Sequence, residues 1–193
     1  MANVDKAFGL APYKGLNVGS AVQQANKYNI DPSGYGTSIF QGDLCIFSGG
    51  YINRSAAGSA NNVGVLSHVY YVATDGTPTF KNYYPASTTA LGSGDIEAYI
   101  YDDPNQLFVV QADGASTIAA IGRNADTDGI GGSTTTGVAT RELDSSTLAT
   151  TAALQLKVVG VVQDDKNGDL SSNNANLVVL INEHAYRGPV AGT

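Results

Sequence analysis

The sequence predicts a mainly β fold: a β-sandwich or small β-barrel with one short helix and an extended N-terminal arm. Apolar residues concentrate in runs rich in Val, Ile and Tyr, such as residues 96–101, 107–111, 154–163 and 177–182. Segments rich in Gly, Asn, Asp and Pro separate these runs at nearly regular spacing. Roughly eight or nine strands with this spacing are typical of a sandwich or small barrel.

The chain divides into an N-terminal arm (1–32), a single β-rich domain (33–185) and a C-terminal tail (186–193). The arm fits neither the helical nor the strand period. Its apolar cluster at residues 8–13 is interrupted by Gly9 and Pro12, which predicts an extended segment lying on a surface.

Strand signals follow in series through the domain. Residues 38–40 and 43–48 flank Gln41 and Gly42, which predicts a compact hairpin. The other predicted strands are separated by turn formers, among them Asp75-Gly76, the segment 102–105 with Pro104, and the segment 164–169. These strands are residues 63–74, 79–84, 96–101, 107–111, 154–163 and 177–182.

One segment, residues 115–122, has a helical pattern. Asp113 or Ser116 is placed to cap its start, and Gly122 suits a C-terminal stop. Ile118 and Ile121 would share one face of this helix.

Composition excludes several function classes. The 193 residues suffice for a domain that buries roughly 70% of its unfolded surface. Only 14% are charged, against about 25% in an average domain, and the net charge is −7 without any basic stripe. Such a chain repels phosphates, so no nucleic-acid partner is expected. No apolar run approaches the ~20 residues of a membrane span, so no membrane partner is expected.

The cysteine and the start of the chain bear on the compartment. Cys45 has no second cysteine to pair with and lies in an apolar run, which favours a buried structural thiol over a reactive nucleophile. The first residues lack a charged start followed by an apolar core, so no secretory signal is expected. We therefore expect the protein to be made in the cytosol, and either to stay soluble there or to be assembled there into something larger.

No metal site or cofactor is predicted. Residues 124–129 match the first half of a calcium loop, but the bidentate acidic position is Thr135 and the flanking helices are missing. Turns explain this segment and residues 164–169 better. The only histidines, His68 and His184, have no second ligand at metal spacing.

No catalytic constellation is predicted either, so we expect a protein that is not an enzyme. Ser48-Gly49-Gly50 suits a turn and is not a nucleophile elbow. The neighbouring carboxylates Asp102 and Asp103 would point to opposite faces of an extended chain, unlike a glycosidase pair.

Four stretches together resemble a known family: residues 1–12, 98–114, 154–163 and 178–184. In phrasing and order they are similar to small structural proteins of tailed phages that infect marine bacteria and cyanobacteria. The resemblance covers most of the chain and includes no catalytic signature.

The resemblance implies a capsid decoration or cement protein. Such a protein is β-rich, binds the outer surface of the major capsid protein shell, commonly as a homotrimer, and lays an N-terminal arm along it. Its place is the virion, at the capsid surface. We predict that the apolar arm residues Phe8, Leu10, Pro12 and Tyr13 contact the capsid; the alternative for them is burial against the protein's own body.

Two other functions remain open at this stage. One is another virion role: a tail-tube, head-completion or coat subunit. The other is a carbohydrate-binding β-sandwich, because several strand tyrosines could stack on sugars, although they equally suit a core or an interface. These tyrosines are Tyr70, Tyr71, Tyr83, Tyr84, Tyr99 and Tyr101.

Overall fold

The computed structural model describes residues 3–16, 24–163 and 165–187, and these form a mainly β protein. Strands account for 44% of the residues and helical turns for 5%, and no helix in the described ranges reaches seven residues. The predicted fold class is confirmed. The sheets are antiparallel and consistent with a β-sandwich, and in the described ranges they do not close into a barrel.

The strands follow one another with short connections. In chain order they are β1 (Ala11–Gly15), β2 (Asn26–Ile30), β3 (Ile39–Phe40), β4 (Leu44–Ser48), β5 (Tyr51–Arg54), β6 (Asn62–Val72), β7 (Pro78–Lys81), β8 (Tyr83–Tyr84), β9 (Ile96–Tyr101), β10 (Gln106–Gln111), β11 (Asn124–Ala125), β12 (Thr127–Asp128), β13 (Glu142–Leu143), β14 (Leu156–Val161) and β15 (Asn176–Ile181). Single 3-10 turns occur at Leu91–Ser93, Ile118–Ala120 and Ser145–Thr147.

One sheet has five strands in the order β1-β10-β15-β14-β11. On β10 and β15, Phe108, Val110, Leu177 and Val179 share the inner face and are buried. On the opposite face, Leu107, Val178 and Leu180 form a smaller buried cluster of their own. The predicted strands at 107–111, 154–163 and 177–182 are therefore confirmed within about two residues, which is the usual uncertainty of strand ends.

The second large sheet has the order β2-β9-β6-β4-β5, with β7 paired to β6. The turn at Asp75-Gly76 joins β6 to β7 as an antiparallel hairpin, as the sequence predicts. Gly64 allows β6 to approach β9 closely, because a Cβ there would lie 2.2 Å from the Tyr101 carbonyl oxygen.

The six-stranded sheet contributes to two apolar cores. Leu44 and Val65 pack with the inner face of the five-stranded sheet in the first core. Their neighbours Cys45 and Leu66 belong to the second core. That core is shared with β3 and β8, which form a two-stranded sheet of their own. The six-stranded sheet therefore joins the two apolar cores.

Residues 102–105 carry the chain from one large sheet to the other. The segment turns as predicted, with the Gln106 N–H donating to the Asp103 carbonyl oxygen at 3.0 Å. The strands on either side do not pair with each other: β9 pairs with β2 and β6, whereas β10 pairs with β1 and β15.

The predicted helix at 115–122 is wrong. The segment forms only the 3-10 turn Ile118–Ala120, capped by Thr117, whose side chain accepts the Ala119 N–H. Ile118 is 72% exposed, so this face has no core to pack against and nothing stabilises a longer helix. Gly122 does end the turn, with φ +86°.

The predicted hairpin around Gln41 and Gly42 is also wrong. The chain does turn there, and the Asp43 N–H donates to the Phe40 carbonyl oxygen at 2.9 Å. However, β3 pairs with β8, and β4 pairs with β5 and β6. The turn therefore changes sheets, which a local turn signal does not reveal.

Within the predicted arm, β1 and β2 are extended, and each pairs at one end of a large sheet. The described arm is therefore continuous with the body. In the predicted tail, Tyr186 and Arg187 contact the body through Tyr28 and Pro104, and residues 188–193 lie outside the described residues. No helix in the described part of the chain has the length and apolar character to cross a membrane.

Candidate interaction surface

Residues 3–16 lie along the edge of the five-stranded sheet and are fastened at several points. The Asn3 side-chain amide donates to the carbonyl oxygens of Asp169 and Asn173, both at 2.8 Å. The Gln111 side chain accepts the Lys6 N–H and donates to the Val4 carbonyl oxygen. These hydrogen bonds join the arm to β10 and to the connection between β14 and β15.

The four predicted contact residues divide between the interior and the surface. Leu10 is only 1% exposed and belongs to the first core. Phe8 and Pro12 are half-buried, and Tyr13 is 45% exposed. Leu10 is therefore buried against the protein's own body, which was the alternative to a capsid contact, and it is not available to a partner. The other three have apolar surface to offer.

Gly9 makes this division possible. Its φ is +71°, and a Cβ at this position would lie 2.7 Å from the Gly42 carbonyl oxygen. The same oxygen accepts the Leu10 N–H at 2.9 Å. The glycine therefore lets the chain turn against residue 42 so that Leu10 enters the core.

The edge formed by β1 is unsuited to adding another strand. Pairing with β10 shifts between Pro12 and Lys14, so Tyr13 is a bulged residue. Pro12 has no backbone N–H to donate, and bulges and prolines protect sheet edges from strand addition. A partner at this edge would therefore meet side chains, chiefly the Tyr13 ring with the Lys14 ammonium 5.3 Å from its centre.

Two hollows flank Phe8. One is a cavity of about 240 Å³ lined by Phe8, Pro12, Leu66 and Tyr101, among others. The second, of about 440 Å³, is bordered by Phe8, Val4 and Gln111. The arm therefore offers a contoured apolar surface into which side chains of a partner can fit.

A second exposed surface lies on the six-stranded sheet, where aromatic rings stack across three strands. The His68 ring lies 4.4 Å from that of Tyr99 at 16°, and 4.6 Å from that of Phe80. Phe80 is 63% exposed. Burial lowers the pKa of His68, so the ring in this stack is neutral at physiological pH.

The strand tyrosines that could stack on sugars do not form one surface. Tyr71 and Tyr84 are buried in the second core. The remaining four are partly exposed: Tyr70, Tyr83, Tyr99 and Tyr101. The buried pair has the core role that the sequence left open.

Two fully buried charged groups form an ion pair that joins the residue before β4 to the residue before β13. Arg141 and Asp43 are both 0% exposed, with Arg141 Nε 3.3 Å from Asp43 Oδ1. Arg141 also donates to Thr127 Oγ1 and to the Ser55 carbonyl oxygen, both at 2.6 Å. Burial raises the pKa of Asp43, although Arg141 opposes this. Buried from solvent on all sides, the pair can hold loops together but cannot reach a substrate.

The polar network continues beyond the ion pair. The Gln155 side-chain oxygen accepts both the N–H and the hydroxyl of Thr127, at 3.0 and 2.8 Å. Ser55 donates its hydroxyl to the Asn62 side-chain oxygen at 2.6 Å. Because each of these buried groups is paired, the network stabilises one arrangement of the surrounding loops.

Cys45 and His184 are also inaccessible. Cys45 is buried, as predicted, and burial raises the pKa of its thiol, so it is not a thiolate at neutral pH. His184 is 1% exposed, and burial lowers its pKa to about 4. Its Nδ1 accepts the Tyr186 N–H at 3.1 Å.

The calcium-like segment 124–129 forms β11 and β12 instead of a simple turn. Its side chains are engaged within the protein: Asn124 donates to the Thr151 carbonyl oxygen, and Asp126 accepts the Gln155 N–H. In residues 3–16, 24–163 and 165–187 no three His, Cys, Asp or Glu side chains are grouped to hold a metal ion.

Sequence reasoning missed two features. Phe80 had a usable signal, because the Asp75-Gly76 turn sets a register that places Phe80 opposite Tyr70 on the exposed face. No sequence signal could have identified the role of Arg141, because its partner Asp43 is 98 positions away along the chain.

Comparisons with protein-family models, curated proteins and solved structures find no match for this chain. The functional inference therefore depends on the residues themselves. The described surface offers the apolar contour around Phe8, Pro12 and Tyr13, and the aromatic stack that ends at Phe80.

Proposed function

We propose that this protein is a structural component of a tailed-phage virion, a decoration or cement protein that binds the outer surface of the major capsid protein shell and stabilises it. One observation carries the proposal: Phe8, Pro12 and Tyr13 present apolar side chains along a bulged sheet edge beside two hollows. The resemblance of the sequence to small phage structural proteins supports the same role.

The contact would act through side chains. Aromatic residues seated in hollows are the usual anchors of protein interfaces, and a stable contact buries on the order of 1,000 Å² or more. The half-buried Phe8 and Pro12 are pre-positioned by the fixed arm, so docking would cost little further ordering of these residues.

Stabilisation of the shell would follow from mass action. A protein that binds the assembled lattice and not its free subunits shifts the equilibrium toward the lattice. Only 14% of the residues are charged, and such a sparsely charged chain suits close contact with neighbouring proteins in a particle. We propose a homotrimer as the bound form, assembled in the host cytoplasm, with neither nucleic acid nor membrane as partner.

The direct experiment is co-sedimentation with empty shells assembled from the major capsid protein of the source phage. Intact protein should sediment with the shells, and Tyr13→Ser should weaken binding about tenfold, as expected for an interface anchor. The matched control is Ile118→Ser, which removes an exposed apolar side chain far from the arm in sequence and should leave binding unchanged.

Two outcomes would overturn the proposal. The first is the absence of this protein from purified particles. The second is failure of the intact protein to bind shells under conditions in which its fold is retained by circular dichroism. Sedimentation velocity tests the trimer separately.

A further inference from the structure

A polar cavity of about 340 Å³ lies between the β7–β8 region and the loop at residues 134–137. Phe80, Lys81, Asn82 and Tyr83 form one wall, and three threonines with Gly137 form the other. None of these residues borders the two hollows beside Phe8. The cavity is largely open to solvent, and its volume lies at the lower end of small-molecule sites, which start at about 300 Å³.

Both walls are held in place. The Gly137 carbonyl oxygen accepts the Gln41 N–H at 2.9 Å, and its N–H donates to the Ser133 carbonyl oxygen at 2.7 Å. Gly137 has φ +75°, and a Cβ there would lie 2.8 Å from Asn82 Cβ, so the loop rests directly on the opposite wall. The site is therefore largely formed before any ligand binds.

The aromatic residues of the cavity are supported from behind. The Tyr83 ring stacks on Phe40 with centres 5.4 Å apart and an angle of 14°. The Phe80 ring is backed by His68, which itself stacks on Tyr99. Because Phe80 is still 63% exposed, a ring face remains available to a ligand.

The lining chemistry selects the class of ligand. An aromatic face carries partial negative charge and attracts polarised C–H groups. The threonine hydroxyls and the Asn82 amide both donate and accept hydrogen bonds, which suits a molecule dense in hydroxyls. No carboxylate borders the cavity and the Lys81 ammonium does, so a cation meets no opposing charge there, and the polar lining disfavours a purely apolar guest.

We infer that this cavity binds a hexose unit of a glycan, with the C–H face of the sugar on Phe80 and its hydroxyls on Asn82 and the threonines. The inference goes beyond the proposed shell-binding role and does not depend on it. A decoration protein with such a site would present a sugar-binding surface on the particle.

The experiment is an NMR titration of the ¹⁵N-labelled full chain with the methyl glycosides of glucose, galactose, mannose and N-acetylglucosamine. At least one should produce saturable shifts in the amides of residues 80–83 and 134–137. Phe80→Ala should weaken this binding about tenfold or more, whereas Phe80→Tyr, which keeps the ring, should retain it. Asn82→Ala should also weaken it, and Ile118→Ala is the matched control at an exposed apolar site elsewhere.

The inference is overturned if none of the four sugars gives saturable shifts at the cavity, or if Phe80→Ala binds as tightly as the wild type. Retained binding by Phe80→Leu would also overturn it, because the ring face would then be unnecessary. Amide spectra of each variant show directly that the fold is intact. Since no capsid shell takes part, failure here leaves the shell-binding proposal standing.

Discussion

The two ion pairs in the described part of the chain have similar lengths and opposite surroundings. Arg141 and Asp43 approach to 3.3 Å with both side chains fully buried. Lys27 and Glu97 approach to 3.0 Å with 54% and 20% of their side chains exposed. Burial removes solvation from the first pair, so each member depends on the other; water competes for the second. The distance between the charged atoms therefore does not show by itself which pair contributes more to stability.

The largest expected effect is removal of one member of the buried pair. Arg141→Leu would leave Asp43 buried without its cation and would take donors away from Thr127 and Ser55. We expect a loss of about 3–5 kcal/mol in the free energy of unfolding, measured by urea denaturation. The matched control is Arg123→Leu, at an exposed position, which should change stability little.

Combining Arg141→Met with Asp43→Leu sharpens the test, because the double variant removes both charges. It should be more stable than Arg141→Leu alone, since no unpaired charge remains in the interior. If Arg141→Leu cost less than about 1 kcal/mol, the buried pair would be no more important than a surface pair and the comparison would fail.

The same contrast between interior and surface divides the arm. Leu10→Ala should cost about 2–5 kcal/mol in the free energy of unfolding, because it opens a cavity in the first core. Tyr13→Ala, three positions along, should cost little, since Tyr13 is 45% exposed. Thermal denaturation followed by circular dichroism distinguishes the two. Equal losses would mean that Tyr13 belongs to the fold and not to a docking surface.

His184 is also buried and titratable, but it stays neutral instead of forming an ion pair. Burial lowers its pKa to about 4 in the folded protein, while an unfolded histidine titrates near 6.5. Between these values the unfolded state binds the proton more readily. The burial of His184 therefore costs no stability above pH 6.5, where the histidine is neutral in both states. As the pH falls toward 4, it lowers the free energy of unfolding by about 3 kcal/mol at most.

The measurement is the free energy of unfolding of wild type and His184→Gln between pH 4 and pH 7. The wild type should lose more stability on acidification than the variant. Asp43 and Glu142, whose pKa values burial raises, act in the opposite direction in both proteins, so the difference between the two isolates His184. A pH dependence that is unchanged by the substitution would show that His184 is not the group responsible.

Local features of this fold were predictable from the sequence, and long-range ones were not. β9, β10, β14 and β15 follow from alternating β-branched runs ended by turn residues, because side-chain direction and turn chemistry act over a few residues. Which sheet each strand joins depends on distant partners. Thus β9 and β10 lie four residues apart and enter different sheets.

The candidate surfaces, like the fold, were only partly predictable from the sequence. The apolar character of Phe8, Leu10 and Tyr13 is visible in the sequence, but their division between core and surface depends on how the turn at Gly9 meets Gly42. The cavity beside Phe80 depends on a loop more than fifty positions further along the chain. No local sequence pattern predicts which remote segments come into contact.

The smallest expected effect is loss of the exposed ion pair. Lys27→Met should leave the thermal midpoint of unfolding nearly unchanged, because water solvates Glu97 once its partner is gone. The Lys27 ammonium, hydrogen-bonded to Glu97, lowers the pKa of that carboxyl, so any contribution of the pair is present above the ordinary carboxyl pKa and is lost on acidification. Raising the salt concentration should remove what difference exists between wild type and variant, since about 1 M salt shortens the Debye length to ~3 Å. A loss comparable to that of Arg141→Leu, insensitive to salt, would show that exposure does not decide the strength of these pairs.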